Sequence, residues 1–230
     1  MQNELPRHEG RRRLSAARLL GAIVGLFIVM PLVDRWRFGR FVESAAFTVV
    51  LLAAVAAVGS QRKTLLLAAT MAIPALVGRW LSHVWSDPLV LQLGLAAAIV
   101  FVAFIIWNLL RFVMSSPVVD SEVLCTAISS YLLLAVAWGF SYELVSSWDP
   151  SEFAITEPTH GNVKLTSFTS LYFSVQVLTT ITFGDILPVS NIARMMAIVE
   201  AAAGVFYMAI LIARLVGLYM GQSQSGAGRQ

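Results

Sequence analysis

Charge is what this chain is short of. Of its 230 residues 13% are charged and 58% are hydrophobic, against about 25% charged in ordinary soluble domains. So few charges cannot cover a soluble surface, and the apolar residues fall in long blocks instead of an amphipathic period. The composition is that of an integral membrane protein. Cysteine is scarcer still: the single Cys125 excludes an intrachain disulfide, nothing beside it has metal-ligand spacing, and it reads as a small buried hydrophobe. The three histidines, His8, His83 and His160, fall in tails or loops and no GxSG-like elbow occurs, so an intramembrane hydrolase with its nucleophile and base is not expected. The two halves differ and only one segment is broken, so a transporter built from matching repeats is not expected. No basic stretch is interleaved with aromatics, and nucleic acid is not an expected partner. No cofactor is expected either.

What is present is a set of apolar blocks. A bilayer-crossing helix needs about 20 residues, and six blocks qualify: 14–33, 41–58, 64–80, 89–113, 123–145 and 192–220. The fourth carries only Arg111, at its end, whereas a voltage sensor needs a basic residue at every third position; no sensor is expected. The basic run before the first block suggests a signal peptide, but no small-x-small cleavage site follows, so the block is expected to stay in the membrane as an anchor. The chain divides into a basic tail (1–13), a four-helix region (14–114), a linker (115–122), a second module (123–220) and a polar, disordered tail (221–230).

The one long connection, between the fifth and sixth blocks, holds a further apolar stretch, 168–179, too short to cross. After it comes Thr179-Thr180-Ile181-Thr182-Phe183-Gly184-Asp185. Non-helical backbone at membrane depth is tolerated only where protein or a water-filled cavity covers it, so a re-entrant helix and loop imply a cavity. A cation crossing a bilayer exchanges its water shell for oxygens, which a short extended run of backbone carbonyls plus a threonine hydroxyl can supply. Glycine lets alternate carbonyls point the same way by adopting φ > 0, and Gly184 suits that role. Thr182 does not, because a β-branched residue in the left-handed region costs roughly 1–2 kcal/mol. Either the protein holds Thr182 strained, or the loop has another shape and another ion preference.

This run resembles the TTVGYGD filter of potassium channels, and 123–220 resembles their two-span pore module, most closely over 166–217. Thr182 stands where the first filter glycine belongs. The resemblance implies an all-α membrane fold of six transmembrane helices plus a re-entrant pore helix and filter loop, assembled as a homotetramer. It implies that Thr180, Ile181, Thr182, Phe183 and Gly184 coordinate a permeant monovalent cation, K+ or Na+. Tyr172 and Phe173 match the family's aromatic pair, and Arg194 matches its arginine at the outer end of the inner helix. Gln176 is placed to donate to Asp185 from behind the filter, with simple packing as the alternative. Asp185, with Glu143, Asp149, Glu152 and Glu157 set against Lys164 and His160, would make an acidic outer mouth that concentrates cations. Gly204 sits at the family's hinge position, though close helix packing would also need a small residue. Glu200, an acid deep in a span, is a functional-site hypothesis in its own right: it either lines the cavity or is hydrogen-bonded behind the pore helix.

With the filter outward, both termini are cytoplasmic, and Arg7, Arg11, Arg12, Arg13, Arg18, Arg62, Lys63, Arg111, Arg214 and Arg229 lie inside, as the positive-inside rule asks. Arg35, Arg37 and Arg40 then occupy the first external loop. The expected setting is the plasma (inner) membrane, with the lipid bilayer and further copies of the chain as partners. Thr182 leaves two alternatives open, a weakly selective cation channel and a pore-like protein that does not conduct.

Overall fold

Inside hydrocarbon a backbone must satisfy its own hydrogen bonds, so long apolar runs have little choice but the α-helix. The computed structural model describes residues 7–33, 38–58, 62–85, 87–155 and 165–227. The described residues form seven α-helices: α1 Arg7–Val33, α2 Gly39–Val58, α3 Arg62–Leu81, α4 Pro88–Ser115, α5 Ser121–Trp148, α6 Ser167–Leu178 and α7 Asn191–Ala227. All except α6 contain a stretch long and apolar enough to cross a membrane. At 12 residues α6 is too short. The protein is an all-α integral membrane protein with six spans and one short intercalated helix.

Polar residues at the ends of the runs set where helices start. Asp87 accepts from the Leu89 amide at 2.9 Å, with Pro88 in the first turn where its missing N–H is no loss. Asp120 accepts from the Val123 amide at 3.0 Å. Thr166 and Thr169 cap α6 reciprocally, each satisfying an orphan donor of the first turn.

Helices α1 to α4 pack in sequence, and α5 is the hub, touching α1, α4, α6 and α7. Small residues set the closest approach. A Cβ on Gly78 would lie 2.4 Å from the Cα of Gly94, so the α3–α4 crossing requires glycine on both sides. One core cluster joins Leu19, Ile23 and Leu26 of α1 to Phe47 of α2, Phe101 and Ile105 of α4 and Leu133 of α5. A second surrounds the short helix: Tyr142, Phe153, Leu165, Phe173, Val177, Ile186 and Ala193.

Some boundaries differ from expectation. α1 begins at Arg7, inside the segment read as a tail, and α7 continues to Ala227 across most of the segment expected to be disordered. Once a helix is nucleated each further residue closes one more backbone bond, and no proline follows Asn191 to stop it. The linker narrows to 116–120. The long connection after α5 opens with a 3-10 turn, Pro150–Glu152, and strand β1, Phe153–Ile155. β1 pairs antiparallel with β2, Ile186–Pro188, in the register Phe153 with Pro188 and Ile155 with Ile186. This ribbon ties the end of α5 to the segment just beyond the TTITFGD run. Glu157, His160 and Lys164, like Arg35 and Arg37, lie outside the described residues.

Candidate functional site

The site is built on the C-terminal end of α6. Thr180 donates its amide to the Val177 carbonyl and Ile181 to that of Gln176, each at 3.0 Å, and the chain then leaves the helix. Positive φ recurs at every second residue: Thr180 at 58°, Thr182 at 42° and Gly184 at 81°. Thr182 thus takes the strained conformation that its position requires, and Thr180 takes it too, which the sequence did not signal. Each β-branched residue there costs roughly 1–2 kcal/mol, so the neighbourhood must hold the loop.

Gln176 does much of the holding. Its side chain is buried at 3% exposure, its Oε1 accepts from the Phe183 amide at 2.9 Å, and its Nε2 donates to Asp185 Oδ1 at 3.3 Å. Only one orientation of the amide satisfies both neighbours, a donor on one side and a carboxylate on the other. Asp185 Oδ1 also accepts from the Ile186 amide at 3.1 Å. Burial works to raise the Asp185 carboxyl, but hydrogen bonds from Tyr172, Gln176 and the Asp185 and Ile186 amides outweigh it and hold the group below its ordinary value. The Tyr172 ring lies nearly parallel to Phe183, 6.4 Å between centroids. Phe173 turns the other way, edge-on to Tyr142 at 4.9 Å and Phe153 at 5.7 Å. The aromatic pair is therefore divided, one ring against the loop and one in the core.

The opposite side of the loop is bare. Thr180, Ile181, Thr182 and Phe183 are all exposed, Ile181 by 59% and Phe183 by 68%. A run of carbonyls and threonine hydroxyls, rigid from behind and open in front, can replace part of a cation's water shell.

Behind α6 stands the face of α7 formed by Ala193, Glu200 and Gly204, all buried, at helical spacing. Glu200 is fully buried and accepts from Tyr142 Oη on α5 and Ser174 Oγ on α6, both at 2.5 Å. It therefore does not line a cavity, one of its two expected roles; the helical face it shares with Ala193 is the one that packs. Gly204 is also a packing residue here, since a Cβ on it would lie 2.4 Å from the Leu178 carbonyl oxygen. That same carbonyl accepts from Tyr131 Oη at 3.1 Å. Arg194 donates to the Pro188 carbonyl at 3.3 Å, steadying the exit of β2.

The acidic mouth needs correction. Glu143 is buried, not external. It accepts from Ser167 Oγ at 2.9 Å and lies 3.7 Å from Arg79 of α3. Arg79 also pairs with Glu43 of α2 at 2.7 Å, donates to Ser167 Oγ at 3.0 Å and lies over the Phe47 ring at 4.9 Å. Thus one guanidinium joins α2, α3, α5 and the first turn of α6. Its Nε donates to Ser44 Oγ at 3.3 Å, which leaves the Ser44 hydrogen free for His83 Nε2 at 2.7 Å. Burial and then the charges of Arg79 and Arg40 push the His83 imidazole below its ordinary value, against Glu43. Sequence reading missed this network, though a signal existed: Glu43, Arg79 and Glu143 are lone charges in separate apolar runs, and intramembrane charges seek partners. Glu152 instead bonds Ser190 Oγ, Asp149 is exposed, and Cys125 is half-buried rather than buried.

Residues 126–220 match a family model described as ion channel. The match covers most of α5, all of α6 and the loop after it, and α7 as far as 220; helices α1 to α4 lie outside it. No curated protein and no solved structure matches the chain.

Proposed function

We propose that this protein is a passive cation channel in which four copies bring the loops at 180–184 around one axis. The observation that carries the reading is the alternating left-handed backbone at Thr180, Thr182 and Gly184, braced by Gln176 and bare in front. One chain supplies one strand of oxygens, and closing a path needs several. Rotational symmetry is the common closed solution for identical chains. The surface of α7 agrees with further copies beside it: 11% of its most apolar stretch is buried, against 61% for α5.

Thr180, Ile181, Thr182 and Phe183 would contribute the main-chain oxygens, and Asp185, held ionised, would draw cations to the entrance. The permeant ion is K+, with Na+ as the competitor. With the filter facing outward in a plasma (inner) membrane, both termini are cytoplasmic. Thr182 supports a second reading, weak selectivity, because its side chain stands in the loop where the resembling filters carry none.

Unitary currents from purified protein in planar bilayers test the reading, with reversal potentials measured between K+ and Na+. A selective pore gives a reversal potential near that of K+, and Thr182→Gly leaves it there. A weakly selective pore gives one near zero, which Thr182→Gly shifts towards K+. Absence of unitary currents from correctly assembled protein contradicts conduction through this loop.

A further inference from the structure

A groove of about 480 Å³ separates the last turns of α4 from the second half of α7, within the ~300–1,000 Å³ typical of ligand pockets. Its walls are Trp107, Leu110 and Met114 on one side and Tyr207, Ile210 and Leu211 on the other. The Tyr207 hydroxyl is already occupied, donating to the Ala127 carbonyl at 2.6 Å, so the walls present an apolar surface. One guanidinium group is part of the wall and a second lies one turn beyond it along α7. Arg111 lines the groove and is exposed. Arg214, one turn beyond Ile210, donates Nη2 to the Ser116 carbonyl at 2.8 Å, while its Nε is buried and meets no acceptor among the described residues. The apolar run of α4 ends at Ser115 and that of α7 at Met220, so both arginines lie within about two helical turns of the point where their runs turn polar.

We infer that this groove binds an anionic phospholipid, with an acyl chain against Trp107 and Ile210 and the headgroup phosphate on Arg111 and Arg214. Two observations converge on that occupant. The body of the groove is apolar and opens within the membrane, where acyl chains are the surrounding solvent. Its wall offers the exposed planar donors of Arg111, with the positive charge of Arg214 one turn beyond, and basic pockets between spanning helices at the interface take phosphate headgroups. A bare anion would not fill the apolar length, and a zwitterionic lipid would bring its own cation to the arginines. The lipid would fill the gap between the first four helices and α7, beyond any role in the ion path, and its binding does not depend on conduction.

Native mass spectrometry of the full chain in detergent tests this, with phosphatidylglycerol and phosphatidylcholine of identical chains as probes. Phosphatidylglycerol should bind more tightly, and Arg111→Gln and Arg214→Gln should each weaken it roughly fivefold, the effect of one basic side chain near a headgroup. Arg111 is exposed and caps nothing, so its variant keeps the test open if Arg214→Gln fails to fold. Ile210→Trp, which fills the groove while leaving both charges, should remove tight binding. Equal affinity for the two lipids, or arginine variants without effect, would overturn the inference. So would undiminished binding to Ile210→Trp, which means that the lipid sits elsewhere or that a second copy covers the groove.

Discussion

Consecutive residues of α5, Tyr142 and Glu143, meet different neighbours, and the two buried acids there, Glu143 itself and the Glu200 that Tyr142 bonds, are stabilised in different ways. Glu143 lies at the start of α6 beside a cation, Arg79. Glu200 lies behind the middle of α6 and is held by hydroxyls alone, those of Tyr142 and Ser174. An ion pair taken out of water depends on both partners, because removing one leaves a charge uncompensated. A carboxyl held by neutral donors depends only on having an acceptor there. The first arrangement binds the α2–α3 region to the beginning of α6; the second binds α7 to its middle. Between them they fix the helix whose far end carries the loop.

Breaking the charged arrangement should have the largest effect. Arg79→Gln leaves Glu43 and Glu143 without their cation and is expected to destabilise the protein by about 3–5 kcal/mol, read from thermal unfolding in detergent. Adding Glu143→Gln should recover part of the loss; no recovery would mean that Arg79 acts through packing on Phe47 alone. Next comes Gly204→Ala, which forces a methyl group against the Leu178 carbonyl. Overpacking of this kind costs typically 1–3 kcal/mol, and the same unfolding assay should register it. An unchanged midpoint would indicate that α7 stands further from α6 than described.

A smaller effect is expected at the hydroxyl-held acid. Glu200→Gln keeps an acceptor for Tyr142 and should cost no more than about 1.5 kcal/mol, the scale of one hydrogen bond. Because the side chain is behind α6, away from the loop proposed to conduct, unitary current should not change. A clear drop in current would return Glu200 to the ion path. Smallest of all is the response of Asp185 to outer pH. Its carboxyl is held below the ordinary value near ~3.9, so the stabilisation from its bonds to Tyr172 and Gln176 is complete above that value and lost as pH falls through the lower folded one. Currents should therefore be indifferent to acidification from about pH 7 to 5 through this group. A titration in that window abolished by Asp185→Asn would contradict the hydrogen-bond assignment.

Much of this architecture was legible because hydrocarbon leaves a backbone few options. The spans agree with the apolar runs to within a few residues, and the short helix expected over 168–179 forms at Ser167–Leu178. The contact of Gln176 with Asp185 could be anticipated from the resemblance to channel pore loops. Partnerships across the fold could not. Arg79 and Glu143 are 64 positions apart in sequence, and no local pattern says that α3 and α5 meet at that height. The buried course of Glu200 depends on which face of α7 packs, and its all-round apolar sequence does not mark one. Thr180 at positive φ is likewise a property of how the loop is held, not of a threonine's own preference.

The central claim is that backbone oxygens at 180–183 from several copies surround one axis. An experimentally determined density map of the purified protein in K+ tests this most directly. The account predicts four copies with these carbonyls converging on ion density, the Gln176 amides behind them. A monomer, or an assembly in which the four residues turn away from the symmetry axis, would contradict it.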